Sequence, residues 1–148
     1  MKTRRITMAL VTALMLSSGC ASTMQEGMAD KSLYDRLGGK EAITAVVDDF
    51  VGRVAADKRI NGFFAKANVP RLKSQLVDQI CEASGGPCKY TGRDMKTAHR
   101  NMGVTCAAFD ALVGDLVATL DKFKVGEREK SDLLGALGPM KPDIVEKP

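Results

Sequence analysis

The chain holds one histidine, His99, and four cysteines. A neutral imidazole can give one ring nitrogen to a metal while its other N–H bonds a backbone carbonyl. Met95 lies four residues before His99 and Met102 three after, so a helix would place all three on one stripe. A single protein ligand suffices for a metal only when a cofactor brings the others. Haem does this, because the porphyrin supplies four nitrogens and the protein one axial base. The thioethers are soft and polarizable, which suits a flat apolar ligand. Sharing a face with His99, neither Met95 nor Met102 can be the opposite axial ligand. The competing reading is a structural histidine on an apolar face with one satisfied hydrogen bond.

Other chemistry is less well supplied. One histidine excludes any triad that needs two and any all-His zinc site. Cys81, Cys88, His99 and Cys106 have the types of a Cys₃His zinc site, but six, ten and six residues intervene, which fits no compact knuckle. Met95, His99 and Met102 would also suit Cu(I), which favours soft ligands. A zinc- or copper-binding periplasmic lipoprotein without haem is therefore the alternative reading. No C-x-x-C-H run occurs, so covalent c-type haem attachment is not indicated. Asp48-Asp49 sits beside core positions and gives no reason to expect a catalytic dyad.

The N-terminus reads as an address. Met1–Arg5 is basic, Ile6–Leu16 is apolar, and Ser17-Ser18-Gly19-Cys20 follows. This is the layout of a secretory signal and is too short to span a bilayer. Cys20 resembles the lipidated cysteine of a bacterial lipoprotein, although Leu16 stands one place further back than usual. Simple cleavage near Ala21 is the competing reading. The expected organisation is a signal peptide over 1–20, a flexible tether over 21–31 and one domain over 32–145. The expected location is the periplasm, with a membrane anchor through Cys20. Export implies an oxidising compartment, so Cys81 and Cys88, flanking Gly85-Gly86-Pro87, are expected to form a disulfide worth roughly 2–3 kcal/mol. Cys106 remains odd. The net charge of +4 owes three bases to residues 1–19, and the rest balances 19 bases against 18 acids. That is no nucleic-acid footprint.

The elements that must position these residues are all helical. Ser32 and Asp35 form a capping-box pattern that opens a short helix ending at Gly38-Gly39. A helix over about 40–57 carries Ile43, Val46, Val47, Phe50, Val51 and Val54 on one stripe. A turn ends in Phe63-Phe64. Pro70 suits the first turn of a helix bearing Leu72, Leu76, Val77 and Ile80. Asp94 caps a short helix bearing Met95, Ala98, His99 and Met102. A helix from Thr105 or Cys106 carries Phe109, Leu112, Val113, Leu116, Val117, Leu120 and Phe123. A last helix carries Leu133, Leu134 and Leu137, and Pro139 and Pro142 end it. Lys122, Lys124, Arg128 and Lys130 read as a solvated face. The predicted class is all-α.

Taken in order, Leu33-Tyr34-Asp35-Arg36-Leu37-Gly38-Gly39, Val46-Val47-Asp48-Asp49-Phe50, Phe63-Phe64, Gly85-Gly86-Pro87, Tyr90-Thr91-Gly92, Met95 and His99 resemble the group 1 truncated haemoglobins. The resemblance covers about residues 32–145. It implies a two-over-two helical sandwich around a non-covalent haem b, with His99 as the iron ligand. It further implies that Phe64 packs on the haem, that Tyr90 lies near a propionate, and that Phe109 and Leu112 line the proximal side. Phe50, Val51, Leu72 and Leu76 would cover the distal side. The implied partners are O₂, NO and CO, with an external reductase for any NO dioxygenation or weak peroxidase chemistry.

One departure bears on ligand choice. The family typically has Tyr after Phe50, and its hydroxyl bonds the gas; here the residue is Val51. A buried donor is worth roughly 1–2 kcal/mol to O₂, so its loss weakens O₂ binding about tenfold. NO and CO depend on it less. Gln75 and Gln79, along the edge of the same face, are the residues that could restore a donor. Lys73, Arg93 and Lys96 are equally readable as propionate partners or as surface.

Overall fold

The computed structural model describes residues 31–147. The signal segment, most of the tether and Cys20 lie outside them. Helix α1 (Leu33–Arg36) is capped by Ser32, whose Oγ accepts from the Asp35 amide. Gly38 and Gly39 follow with φ of +92° and +77°, left-handed values that favour glycine. They reverse the chain into α2 (Gly39–Ala56). The Tyr34 hydroxyl accepts from the Lys40 amide at 3.0 Å and so caps that helix from the preceding one.

The buried residues of α2 are Ile43, Val46, Val47, Phe50, Val51 and Val54, the stripe expected from spacing. A 3-10 turn (Asn61–Phe64) leads to α3 (Val69–Ala83), where Asn68 is the N-cap and Pro70 lies in the first turn. Helices α2 and α3 pack together, and α2 also packs on α5 (Cys106–Lys122). Between α3 and α5 lies α4 (Met95–His99), five residues long. The chain closes with α6 (Glu127–Leu137), a 3-10 turn (Gly138–Met140) and α7 (Lys141–Ile144). One isolated parallel bridge joins Thr105 to Lys147, and the described residues contain no strand. No described helix is long and apolar enough to cross a membrane.

The core lies under α2, where Val47, Ile60, Cys81, Leu120 and Leu133 are almost fully buried. Arg36 ties α1 to α6 by bonding both Glu129 and Asp132.

Four expectations are corrected. Met102 is not on the helix of His99: α4 stops at His99, Arg100 is extended, and Asn101 and Gly103 have positive φ. Phe123 is no core residue but the half-exposed end of α5, at 40%. Pro139 and Pro142 do not end the helical chain. Each occupies the first turn of a new short helix, where a missing N–H leaves no bond unmade. Lys130 is buried rather than solvated, because Asp121 and Glu127 both accept from its ammonium. Lys73 and Lys122 pair with Asp48 and Asp49, which accounts for that acidic pair.

Candidate functional site

His99 is the last residue of α4 and is half-buried. Its Nδ1 lies 2.8 Å from the Met95 carbonyl oxygen. That oxygen only accepts, so Nδ1 carries the proton and Nε2 keeps its lone pair. This is the arrangement a metal-binding imidazole needs, with the ring braced by its own helix. Asp94 starts that helix: its carboxylate accepts from the Thr97 amide at 2.8 Å. Hydrogen bonds from the Thr97 hydroxyl and amide hold the Asp94 carboxyl below its usual range.

The other wall comes from α2 and α3. Phe50 and Val51 are buried on α2, and Leu72, Gln75 and Leu76 are half-buried on α3. Phe64 sits half-buried in the 3-10 turn, and Phe109 and Leu112 are half-buried on α5. Met102 is exposed in the turn after α4, apart from the stripe of Met95 and His99. Lys141 of α7 stands 5.1 Å from the centre of the Phe109 ring.

Three links hold α3 to the segment that leads into α4. Cys81 and Cys88 are joined by a disulfide, Cα–Cα 5.7 Å, and Cys106 is free. The Glu82 carboxylate accepts from the Tyr90 amide at 3.0 Å, and that bond with Lys89 beside it holds the carboxyl below its usual range. Gln75 packs at a corner made by Tyr90 and Gly92: a Cβ at position 92 would lie 2.4 Å from Gln75 Oε1 and 2.3 Å from Tyr90 Oη, so only glycine fits. Gly86 is equally confined, 2.7 Å from the Cys81 sulfur by the same measure. Tyr90 donates its hydroxyl to the Arg93 carbonyl, and burial pushes its phenol up.

The glutamines are thus placed. Gln75 Oε1 is buried and has no hydrogen-bond partner. Gln79 donates from Nε2 towards the sulfurs of Met95 at 3.4 Å and Met140 at 3.3 Å. Met140 is a contact that spacing did not single out, since it arrives from the far end of the chain. Lys73 is held by Asp48, and Arg93 and Lys96 are exposed.

The donor set decides between metals. Among the described residues no group of three His, Cys, Asp or Glu side chains converges. Two of the four cysteines are bonded to each other. One imidazole with a free lone pair, set among half-buried apolar side chains, suits a metal whose other ligands come with a cofactor.

A family model for the bacterial-like globins matches residues 32–146. The chain belongs to that family. It is 42% identical over 113 residues to the group 1 truncated haemoglobin of Mycolicibacterium paratuberculosis, covering 76% of this chain and 83% of that one. It is 39% identical over 100 residues to the group 1 truncated haemoglobin of Synechocystis, covering 65% and 81%. Among solved structures, the Fe(III) truncated haemoglobin of Tetrahymena pyriformis superposes with a TM-score of 0.75 at 30% identity, over 78% of this chain and 98% of that one. The 2/2 haemoglobin of Synechococcus, described as cyanomet with covalently attached haem, gives 0.74 at 33% identity over 78% and 98%. The fold of this globin is therefore the two-over-two sandwich, and its function is haem-based binding of diatomic gas. The zinc and copper readings are not supported.

Proposed function

We propose that this globin carries a non-covalent haem b on His99 and favours NO and CO over O₂. The observation that carries the reading is the His99–Met95 bond, which leaves Nε2 for iron. Haem supplies an iron that takes one axial imidazole and leaves a position for gas. Phe64, Leu72, Leu76, Met95, Phe109 and Leu112 supply apolar contact for the ring, and Tyr90 stands at its polar edge. Covalent attachment needs a nucleophile. The one histidine is committed to iron, and Cys81 and Cys88 are committed to each other.

Ligand preference follows from the distal wall. Val51 is buried and offers no donor. Gln79 already donates to two sulfurs, and Gln75 is lodged against Tyr90 and Gly92. A gas here meets mostly aliphatic side chains. O₂ loses a stabilising hydrogen bond, and NO and CO lose less. Any redox turnover draws electrons from a partner outside the chain.

The protein works after export, anchored through Cys20. The pattern of residues 1–20 supports this, and so does a disulfide, which persists in oxidising compartments. Loss of labelled lipid in Cys20→Ala tests the anchor. An optical spectrum of the reduced protein with and without CO tests the haem, and acid–organic extraction tests its attachment. The expected result is a Soret band shifted by CO and fully extractable; a colourless protein after haem loading contradicts the reading.

A further inference from the structure

The helix that carries His99 is too short to hold itself. Isolated helices below about 12 residues are marginal in water, and α4 has five. Its N-terminus is capped by Asp94. Its C-terminus, where His99 sits, has no glycine cap; Arg100 turns away at once into extended backbone. The next residues form a tight irregular turn, with Asn101 at φ +63° and Gly103 at φ +68°. A left-handed asparagine is uncommon and needs outside support.

That support comes from the end of the chain. Glu146 Oε1 accepts from the Asn101 amide at 2.6 Å, and its Oε2 accepts from the Gly103 amide at 2.5 Å. Closely spaced main-chain N–H groups of this kind form an anion-binding nest, here occupied by a carboxylate of the same chain. The Glu146 amide donates to the Val104 carbonyl at 2.8 Å, the Lys147 amide to the same oxygen at 3.1 Å, and the Cys106 amide to the Lys147 carbonyl at 3.1 Å. Helix α7 packs directly on α4. The Gly103 and Asn101 amides hold the Glu146 carboxyl below its usual range, with the charges of Lys147 and His99 adding to the effect. The final residues therefore brace both the His99 helix and the turn that leaves it.

We propose that Glu146 is a positioning residue for His99, gripping the turn after α4 so that the imidazole keeps one orientation towards its metal. Nothing else among the described side chains bonds both Asn101 and Gly103. Charge-assisted bonds to two backbone amides are stronger than neutral ones, which suits a clamp at an exposed edge. This proposal rests on the haem reading.

The test uses the haem-loaded full chain and the variants Glu146→Ala and Glu146→Gln, with Asp143→Asn as a control in the same tail. Resonance Raman of the reduced protein reads the iron–histidine stretch, and haem transfer to apomyoglobin reads haem loss. Exchange of the Asn101 and Gly103 amides reads the clamp without reference to haem. The proposal expects Glu146→Ala to shift or broaden the stretch, speed haem loss about tenfold and unprotect both amides. Glu146→Gln, which keeps one acceptor, should lie between it and wild type, and Asp143→Asn should match wild type. An unchanged stretch in Glu146→Ala, with both amides unprotected and the fold intact by circular dichroism, overturns it: Glu146 would then anchor only the tail. Absence of a Soret band in the wild type would instead sink the haem reading.

Discussion

The two walls of the site are built in opposite ways. The distal wall is two long helices, α2 and α3, whose apolar stripes recur at helical spacing and bury one another. The proximal wall is one five-residue helix whose geometry is borrowed: Asp94 caps it, Met95 steadies the ring, and Glu146 and α7 arrive from the C-terminus. The difference teaches that stability and metal geometry are separable here. Damage to α2 should unfold the protein. Damage around α4 should release or tilt the metal in a protein that stays folded.

Each prediction strains that contrast. Phe50→Ala should lower stability by about 3–5 kcal/mol, read by urea unfolding of the apoprotein, since Phe50 is buried in the main core. A loss below 1 kcal/mol would mean that α2 is not the keel. Replacing Cys81 and Cys88 by serine should cost about 2–3 kcal/mol. It should also quicken haem loss, because the bridge ties the distal helix to the segment entering α4. If stability falls with haem loss unchanged, the two walls are less coupled than the bridge implies.

Val51→Tyr should slow O₂ dissociation about tenfold, with little change for CO, as measured by stopped flow. The smallest effect concerns Asp115, buried on α5 with Oδ2 unpartnered. Burial pushes its carboxyl up, and the nearby Asp57 carboxylate adds to this. A raised folded pKa favours the fold below the unfolded value, and that contribution is lost as pH rises through the folded value. Asp115→Asn should therefore flatten a shallow fall in stability between acid and neutral pH; an unaltered slope would reassign it.

Legibility in the sequence follows the same divide. The stripe of α2, the Pro70 start of α3 and the Gly38-Gly39 reversal are local signals, and the structure has each as expected. His99 was legible by its solitude. What escaped was written at long range. Lys130 reads as surface because its partner Asp121 lies on the preceding helix. Met102 reads as helical because nothing in its spacing shows the left-handed Asn101, which depends on Glu146 forty-five residues away. Gln79 reads as a possible distal donor until Met140 folds back beside Met95.

The most direct test of the central claim is chemical rescue of His99→Gly, loaded with haem and followed by its reduced optical and Raman spectra. The account predicts that the variant stays helical, loses the iron–histidine stretch and binds haem weakly, and that added imidazole restores the wild-type spectrum. A His99→Gly protein whose spectrum is unchanged without imidazole would contradict it, because the iron would then be held by another residue.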